Sequence, residues 1–156
     1  MLGTALAILG AALAVFGGGI GSSIGVGIAG QAATGLLSEQ PEKFGNLLLL
    51  VAIPGTQGIY GFLAGFMVIS KLGLLGGNPI RPEVYQGVQI LFACLPAAVN
   101  ELISGIHQGK VAASGIGMVA KRAEEAGRAL ILAALVETYA ILGLLSTILL
   151  LNGIKL

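Results

Sequence analysis

Four long apolar segments limit what this chain can fold into. A helix needs about 20 mostly apolar residues to cross the hydrocarbon core of a bilayer, and each segment is at least that long. With 56% hydrophobic and only 10% charged residues, the chain lacks the polar surface of a soluble domain. We therefore expect an all-α membrane protein, a single multi-pass domain over residues 1–156 in the cell membrane. The four predicted transmembrane helices cover residues 3–37, 45–75, 84–121 and 127–152.

The charges in the connections predict the orientation of the helices. Basic side chains gather at the first and third connections, Lys43 at one and Lys121, Arg122 and Arg128 at the other. Short loops rich in Lys and Arg stay on the cytoplasmic side, so we place these two loops in the cytoplasm and both termini outside. The net charge of +1 gives no reason to expect a nucleic acid partner.

An internal repeat divides the chain into two tandem helical hairpins, residues 1–78 and 79–156. Because each unit holds two helices, both copies cross the membrane in the same direction. Many secondary carriers have inverted repeats instead, so the parallel repeat argues against a carrier. A shift of 82 residues aligns the two units and pairs, among others, Ser22 with Ser104, Glu42 with Glu124, Thr56 with Thr138 and Gly61 with Gly143. In this alignment Gly55 takes the place of Glu137, so one carboxylate serves four helices.

Helices one and three each carry a stripe of small residues at every fourth position. Such stripes let two membrane helices approach with their backbones in contact. Since the stripes occur in matching helices of the repeat, they favour a tightly packed inner ring of helices over a simple pair. The stripes are Gly17, Gly21, Gly25, Ala29 and Ala33 in helix one, and Gly105, Gly109, Ala113 and Gly117 in helix three.

Glu137 is the one charged residue in the apolar stretch 131–150. A carboxylate at the centre of a membrane helix costs about 2.5–3.5 kcal/mol on insertion scales, so its presence indicates a functional site. Counting about 1.5 Å per residue from the cytoplasmic turns places Thr56, Gln57 and Glu137 about 15–18 Å deep. Gln108 of helix three reaches a similar depth, about 20 Å.

One face of helix two brings further oxygen atoms to this depth. Ile53, Thr56, Gln57 and Tyr60 follow the spacing i, i+3, i+4 and i+7, so they lie on the same side of a helix. Pro54 lacks an N–H and disturbs the preceding turn, which frees nearby carbonyl oxygens. Carboxylate, amide, hydroxyl and carbonyl oxygens are the ligands of small hard cations. The number of oxygens favours Na+ as the bound ion.

Two alternatives stay open at this point. A proton would need only the carboxylate of Glu137, and the other oxygens would then organise hydrogen bonds. In the second alternative, Thr56, Gln57 and Gln108 merely satisfy one another across the helices, as buried polar groups in membranes often do. That second alternative leaves Glu137 without a role.

Three other polar residues lie near Gln108 in helix three. Glu101 precedes Gln108 by seven residues, or about 10 Å along the axis, and we expect it near the outer interface without a role in ion binding. His107 is interpreted as a hydrogen-bonded neighbour of the site rather than a proton relay. Lys110 is expected to extend toward the interface or to line the interior of a ring.

The chain resembles the duplicated four-helix proteolipid, called c or K, of V-type rotary ATPases. The motifs are "PGTQGIYGF" in helix two, "SGIHQGKVAASG" in helix three and "LVETYAILG" in helix four, and the likeness extends over essentially the whole chain. They are most similar to the bacterial sodium-translocating branch, which uses the name K, although His107 stands where that branch has a small residue. The resemblance implies that the Na+ ligands are Glu137, Gln108, Gln57, Thr56 and the backbone carbonyl of Ile53, with Tyr60 hydrogen-bonded to Glu137.

The same resemblance implies a function and a set of partners. The chain would be the non-catalytic rotor subunit, several copies of which close into a ring (the c-ring) in the lipid bilayer, with no organic cofactor. A stator subunit with an arginine would open each ion site in turn, and central-stalk subunits would grip the cytoplasmic loops. The nearest alternative is the same rotor carrying H+. An alternative of another class is a pore-forming membrane proteolipid that conducts through the centre of its ring.

Overall fold

The computed structural model describes residues 1–156 and contains four helical segments long and apolar enough to cross a membrane. The predicted all-α fold with four spans is therefore confirmed. The first and third spans are single helices, α1 (Leu2–Glu39) and α4 (Val84–Lys121). The second span consists of α2 (Phe44–Ala52) and α3 (Thr56–Lys71), separated by a 3-10 turn at Ile53–Gly55. The fourth is α5 (Ala126–Gly153), and further 3-10 turns at Pro41–Lys43 and Ala123–Glu125 precede α2 and α5.

One helix end differs from the sequence prediction by more than two residues. The second span ends at Lys71 rather than at residue 75. Gly73 has a φ of +67°, a conformation that glycine adopts without steric cost. Its N–H donates to Ser70 O over 2.9 Å, and the N–H of Leu74 donates to Ile69 O over 3.2 Å. This pair of bonds caps the last carbonyls of α3, so the helix stops there.

Helices α1 and α4 form the central pair of the bundle and run in the same direction. Gly17, Gly21 and Gly25 of α1 meet the backbone of α4 at successive turns, opposite Ala98, Glu101 and Gly105. Helix α3 packs mainly against α1 and also contacts α4, and α5 packs against α4. The contact between α5 and α4 includes Gly143, where an added Cβ would lie 2.6 Å from Cβ of Asn100.

The small-residue stripe of α4 is only partly in this contact. Gly105 and Gly109 press against the backbone of α1, but Gly117 is exposed with no neighbouring atom within 4 Å. Nearer the C-terminal end of α4, Ala112 and Gly115 are buried in place of Ala113, which is half-buried. A spacing of four drifts around a helix of 3.6 residues per turn, so the buried face moves off the stripe.

Two apolar clusters fill the bundle, with a polar layer between them. One cluster, on the side of the second connection, includes Ala14, Val68 and Cys94, and the other, on the side of the first and third connections, includes Leu50 and Ala129. Most of the buried polar side chains lie between the clusters, and the majority of them belong to α3 and α4. This layer contains the residues that the sequence places at mid-membrane depth. Its main members are Gln57, Glu101, Ser104 and Gln108.

Candidate ion-binding site

The site begins at the break in the second span. Pro54 has no N–H, and the chain makes a 3-10 turn there before α3 resumes the α-helix. In a regular α-helix, the N–H of Gly58 would donate to Pro54 O. Instead, the hydroxyl of Ser22 lies between them, accepting from Gly58 N over 2.7 Å and donating to Pro54 O over 2.8 Å. A side chain of α1 therefore maintains the break in the second span.

The sequence pattern does not predict that Ser22 belongs to the site. Its only signal was the alignment with Ser104 in the internal repeat, which says nothing about a bond to another helix. The close approach of Ser22 to the second span also depends on Gly58, because a Cβ at that position would lie 3.1 Å from Ser22 Oγ. Ser22 acts on the site by positioning the backbone before Gln57.

Gln57 and Gln108 form a buried amide pair across α3 and α4. Neither side chain is exposed. Gln57 Nε2 donates to Gln108 Oε1 over 2.7 Å, and Gln108 Nε2 donates to the carbonyl of Ala133 in α5 over 3.1 Å. Because a donor of each amide nitrogen is used by a protein acceptor, the orientation of both amides is fixed, and lone pairs on their oxygens stay available.

Thr56 and Ile53 extend this network along the second span. Thr56 Oγ1 donates to the carbonyl of Ile53 over 2.9 Å and lies 3.4 Å from Gln57 Oε1. The structure therefore brings four of the predicted ligand residues together. Part of the second alternative also holds, since Gln57 and Gln108 do bond to each other.

Glu137 is held separately, by Tyr60. The Tyr60 hydroxyl donates to Glu137 Oε1 over 2.8 Å, which joins α3 to α5. Glu137 is half-buried and has no hydrogen bond to either glutamine. It also has no basic partner, because the one ion pair of the chain joins Arg128 to Glu125 at 2.9 Å. An unpaired carboxylate at this depth needs a cation or a proton to neutralise it.

The neighbouring polar residues of α4 lie as follows. His107 and Lys110 are exposed on the surface of the chain and make no side-chain hydrogen bond to the site residues. Glu101 was expected near the outer interface, without a role in ion binding. The rotation of α4 against α1 turns the Glu101 side chain into the bundle, where it is 0% exposed.

Replacing Ser22 by Ala should destabilise the protein by about 1–3 kcal/mol, because one buried and one part-buried hydrogen bond are lost and Gly58 N and Pro54 O lose their partner. Thermal unfolding of the purified protein in detergent measures this change. Ser23→Ala is the matched control, since Ser23 is exposed and bonds only to Ile20 O of its own helix. Equal melting temperatures for the two variants would contradict the role assigned to Ser22.

The fold and this polar layer define a membrane proteolipid built from two helical hairpins around a buried oxygen cluster. The chain belongs to the ATP synthase C-subunit family, because the model of that family matches residues 9–68 and again residues 91–150. The two matches start 82 residues apart, the same offset as the internal repeat. The chain is therefore a non-catalytic membrane subunit of a rotary ATPase.

Several related proteins support this family assignment. The V-type sodium ATPase subunit K of Enterococcus hirae is 49% identical over 97% of this chain and 94% of its own length. The A-type ATP synthase subunit K of Methanocaldococcus jannaschii is 39% identical over 96% of this chain and 63% of its own length. The ATP synthase c-subunit of Syntrophomonas wolfei is 45% identical over 40% of this chain but 93% of its own length. The last match covers about one hairpin.

Proposed function

We propose that this chain is the ion-carrying subunit of a rotor ring and transports Na+ at Glu137. The observation that carries the proposal is a mid-membrane carboxylate without a basic partner, beside a buried cluster of neutral oxygen atoms. The similarity to a subunit of a sodium ATPase supports Na+ as the ion. The ligands would be Glu137, Gln108, Gln57, Thr56 and the carbonyl of Ile53, with Tyr60 hydrogen-bonded to Glu137.

The arrangement of hydrogen bonds suits this task. Bound Na+ would neutralise Glu137, so that the loaded site could face lipid during rotation. Tyr60 would hold one carboxylate oxygen in place, and the other oxygen has no hydrogen bond in the chain. The fixed amides would present their oxygens to the ion without a large rearrangement.

Emptying the site requires a replacement for the positive charge. A stator arginine facing Glu137 would supply it, and each passing chain would then exchange one ion with the aqueous phase. The ring of identical chains would turn with the central stalk held at the cytoplasmic loops, which carry Lys43, Lys121 and Arg122. Hydrolysis of ATP would take place in other subunits.

Carbodiimide labelling of Glu137 tests the identity of the ion, because the reagent attacks only the protonated acid. In detergent-solubilised rings, millimolar Na+ should slow the labelling, whereas K+ at equal ionic strength should not. Raising the pH should also slow it by removing the proton. If Na+ and K+ gave identical rates at every pH, the ring would be a proton carrier and the sodium site would be wrong.

Removing one oxygen ligand should weaken the protection by Na+. We expect Thr56→Ala and Gln57→Ala each to raise the Na+ concentration for half-protection about tenfold, since a bond to a charged group contributes about 1.5 kcal/mol. Labelling without Na+ should stay nearly unchanged, because Glu137 is retained.

The internal repeat provides a matched control for Thr56. Thr138 is its counterpart, and it likewise donates to the carbonyl three residues earlier, Leu135 O at 2.7 Å. Thr138 is exposed and lies outside the amide network. Thr138→Ala should therefore leave the protection by Na+ unchanged. Equal losses in Thr56→Ala and Thr138→Ala would contradict the ligand role of Thr56.

A further inference from the structure

The polar layer contains two residues that the proposed sodium site does not use. Glu101 is 0% exposed and Ser104 is 4% exposed. Both carboxyl oxygens of Glu101 and the hydroxyl of Ser104 have no hydrogen-bond partner, and these are the chain's only such buried side-chain atoms. Buried polar atoms without partners are rare in folded proteins, so three such atoms on neighbouring side chains indicate that a ligand binds there.

The two side chains lie on one face of α4, three residues apart, on the outer side of the ion site. The contact of Gln108 with Ala133 lies on their cytoplasmic side. Farther out along α4 the buried residues are apolar, Ala97 and Cys94. Glu101 therefore lies between the proposed sodium site and a cluster of buried apolar residues.

The internal repeat explains why the Ser104 hydroxyl is free. Its counterpart Ser22 fills the break that Pro54 makes in the second span. The position equivalent to Pro54 is Val136, and α5 continues there without a break. Because the hydrogen-bond ladder of α5 is intact, Ser104 has no gap to fill and keeps its hydroxyl for another partner.

The surroundings of Glu101 offer no compensating charge. Helix α1 carries no titratable side chain before Glu39. Helix α3 contributes Tyr60, whose hydroxyl donates a hydrogen bond to Glu137 on α5. Tyr139 of α5 is exposed. On α4 itself, His107 and Lys110 are exposed. An ionised carboxylate buried among such groups would be strongly unfavourable, so the neutral acid is the form that fits.

The oxygen count also separates this site from a metal site. Two carboxyl oxygens and one hydroxyl are too few for a hard cation, which gathers about six oxygen ligands. They suffice for a proton on Glu101 and one water, since a buried water needs about two to four polar partners.

We propose that Glu101 and Ser104 form a proton-binding site, in which protonated Glu101 shares one buried water with the Ser104 hydroxyl. The bundle of each chain then holds two carboxyl groups with different tasks, Glu137 and Glu101. Glu137 exchanges its ion, and Glu101 keeps its proton throughout rotation. Only the statement that this proton is not the transported ion rests on the proposed function.

Infrared spectroscopy of purified rings saturated with Na+ tests the proposal. The pH is set several units above about 4.3, where free Glu ionises. We expect a protonated-carboxyl C=O band that shifts in D2O, is present in the wild type and in Glu137→Gln, and falls to background in Glu101→Gln. A wild-type ring without the band, or a Glu101→Gln ring that retains it in full, would overturn the proposal.

Two further measurements keep the result decisive. If Glu101→Gln rings do not assemble, Ser104→Ala should shift the same band, because the acid loses its partner, and an unshifted band would count against the site. Radioactive Na+ should bind with one ion per chain in both the wild type and Glu101→Gln. Two ions in the wild type and one in the variant would show that Glu101 holds a cation instead. Failure of the proposed sodium site would give a different result. A second protonated-carboxyl band, which disappears in Glu137→Gln, would then persist in the wild type with Na+ present.

Discussion

Glu137→Gln should reduce ATP-driven Na+ transport to background, at least about a hundredfold. Removing one member of a buried charge pair costs about 3–5 kcal/mol, and each 1.4 kcal/mol is a factor of ten. A neutral amide in place of the carboxylate cannot hold Na+ as a neutral pair. The measurement is uptake of radioactive Na+ into inverted vesicles that contain the complete ATPase.

The ring should still assemble in this variant, because the backbone contacts between α1 and α4 do not involve Glu137. Its size after purification in detergent checks this point. Glu83→Gln is the matched control, since Glu83 is exposed at the start of α4 and the same substitution there leaves the ion site intact. Transport by Glu137→Gln at the level of Glu83→Gln would refute the assignment of the ion site.

Gly109→Leu should prevent formation of a native-sized ring. Gly109 of α4 lies directly against the backbone of Gly25 in α1, so a side chain there would overlap main-chain atoms that cannot move aside. Overpacking usually costs about 1–3 kcal/mol, and more where backbone rather than a flexible side chain is in the way. The contact joins two helices of one chain, so the subunit itself is expected to lose its packing. Size-exclusion chromatography and thermal unfolding in detergent measure the loss.

Glycine at a second position of the same stripe supplies the control. Gly117 has no atom within 4 Å of an added Cβ, and alanine favours a helix more than glycine does. Gly117→Ala should therefore assemble normally, whereas Gly109→Ala should already destabilise the ring. A stable ring of native size carrying Gly109→Leu would contradict the central placement of α4.

The sequence alone determined the spans and the repeat. These features depend on properties that are local along the chain: apolar length, helical rise and the spacing of Ile53, Thr56, Gln57 and Tyr60. Counting from the helix starts was enough to place Gln57 and Gln108 at one level, because helical rise converts residue number into axial distance, and these two side chains do bond to each other. The bond between Tyr60 and Glu137 agrees with the role that the family resemblance implied.

Only the tertiary structure decided how each helix is rotated about its axis and what each polar group meets. The rotation follows from the packing of α1 against α4, which involves residues about 80 positions apart. It buries Glu101, to which the sequence assigned no role in ion binding, and it exposes Gly117, which belongs to the predicted packing stripe. It also brings Ser22 of α1 to the break at Pro54, while the matching Ser104 faces an unbroken helix. Hydropathy and spacing cannot separate these two serines, because their difference lies in the partner helix that each one contacts.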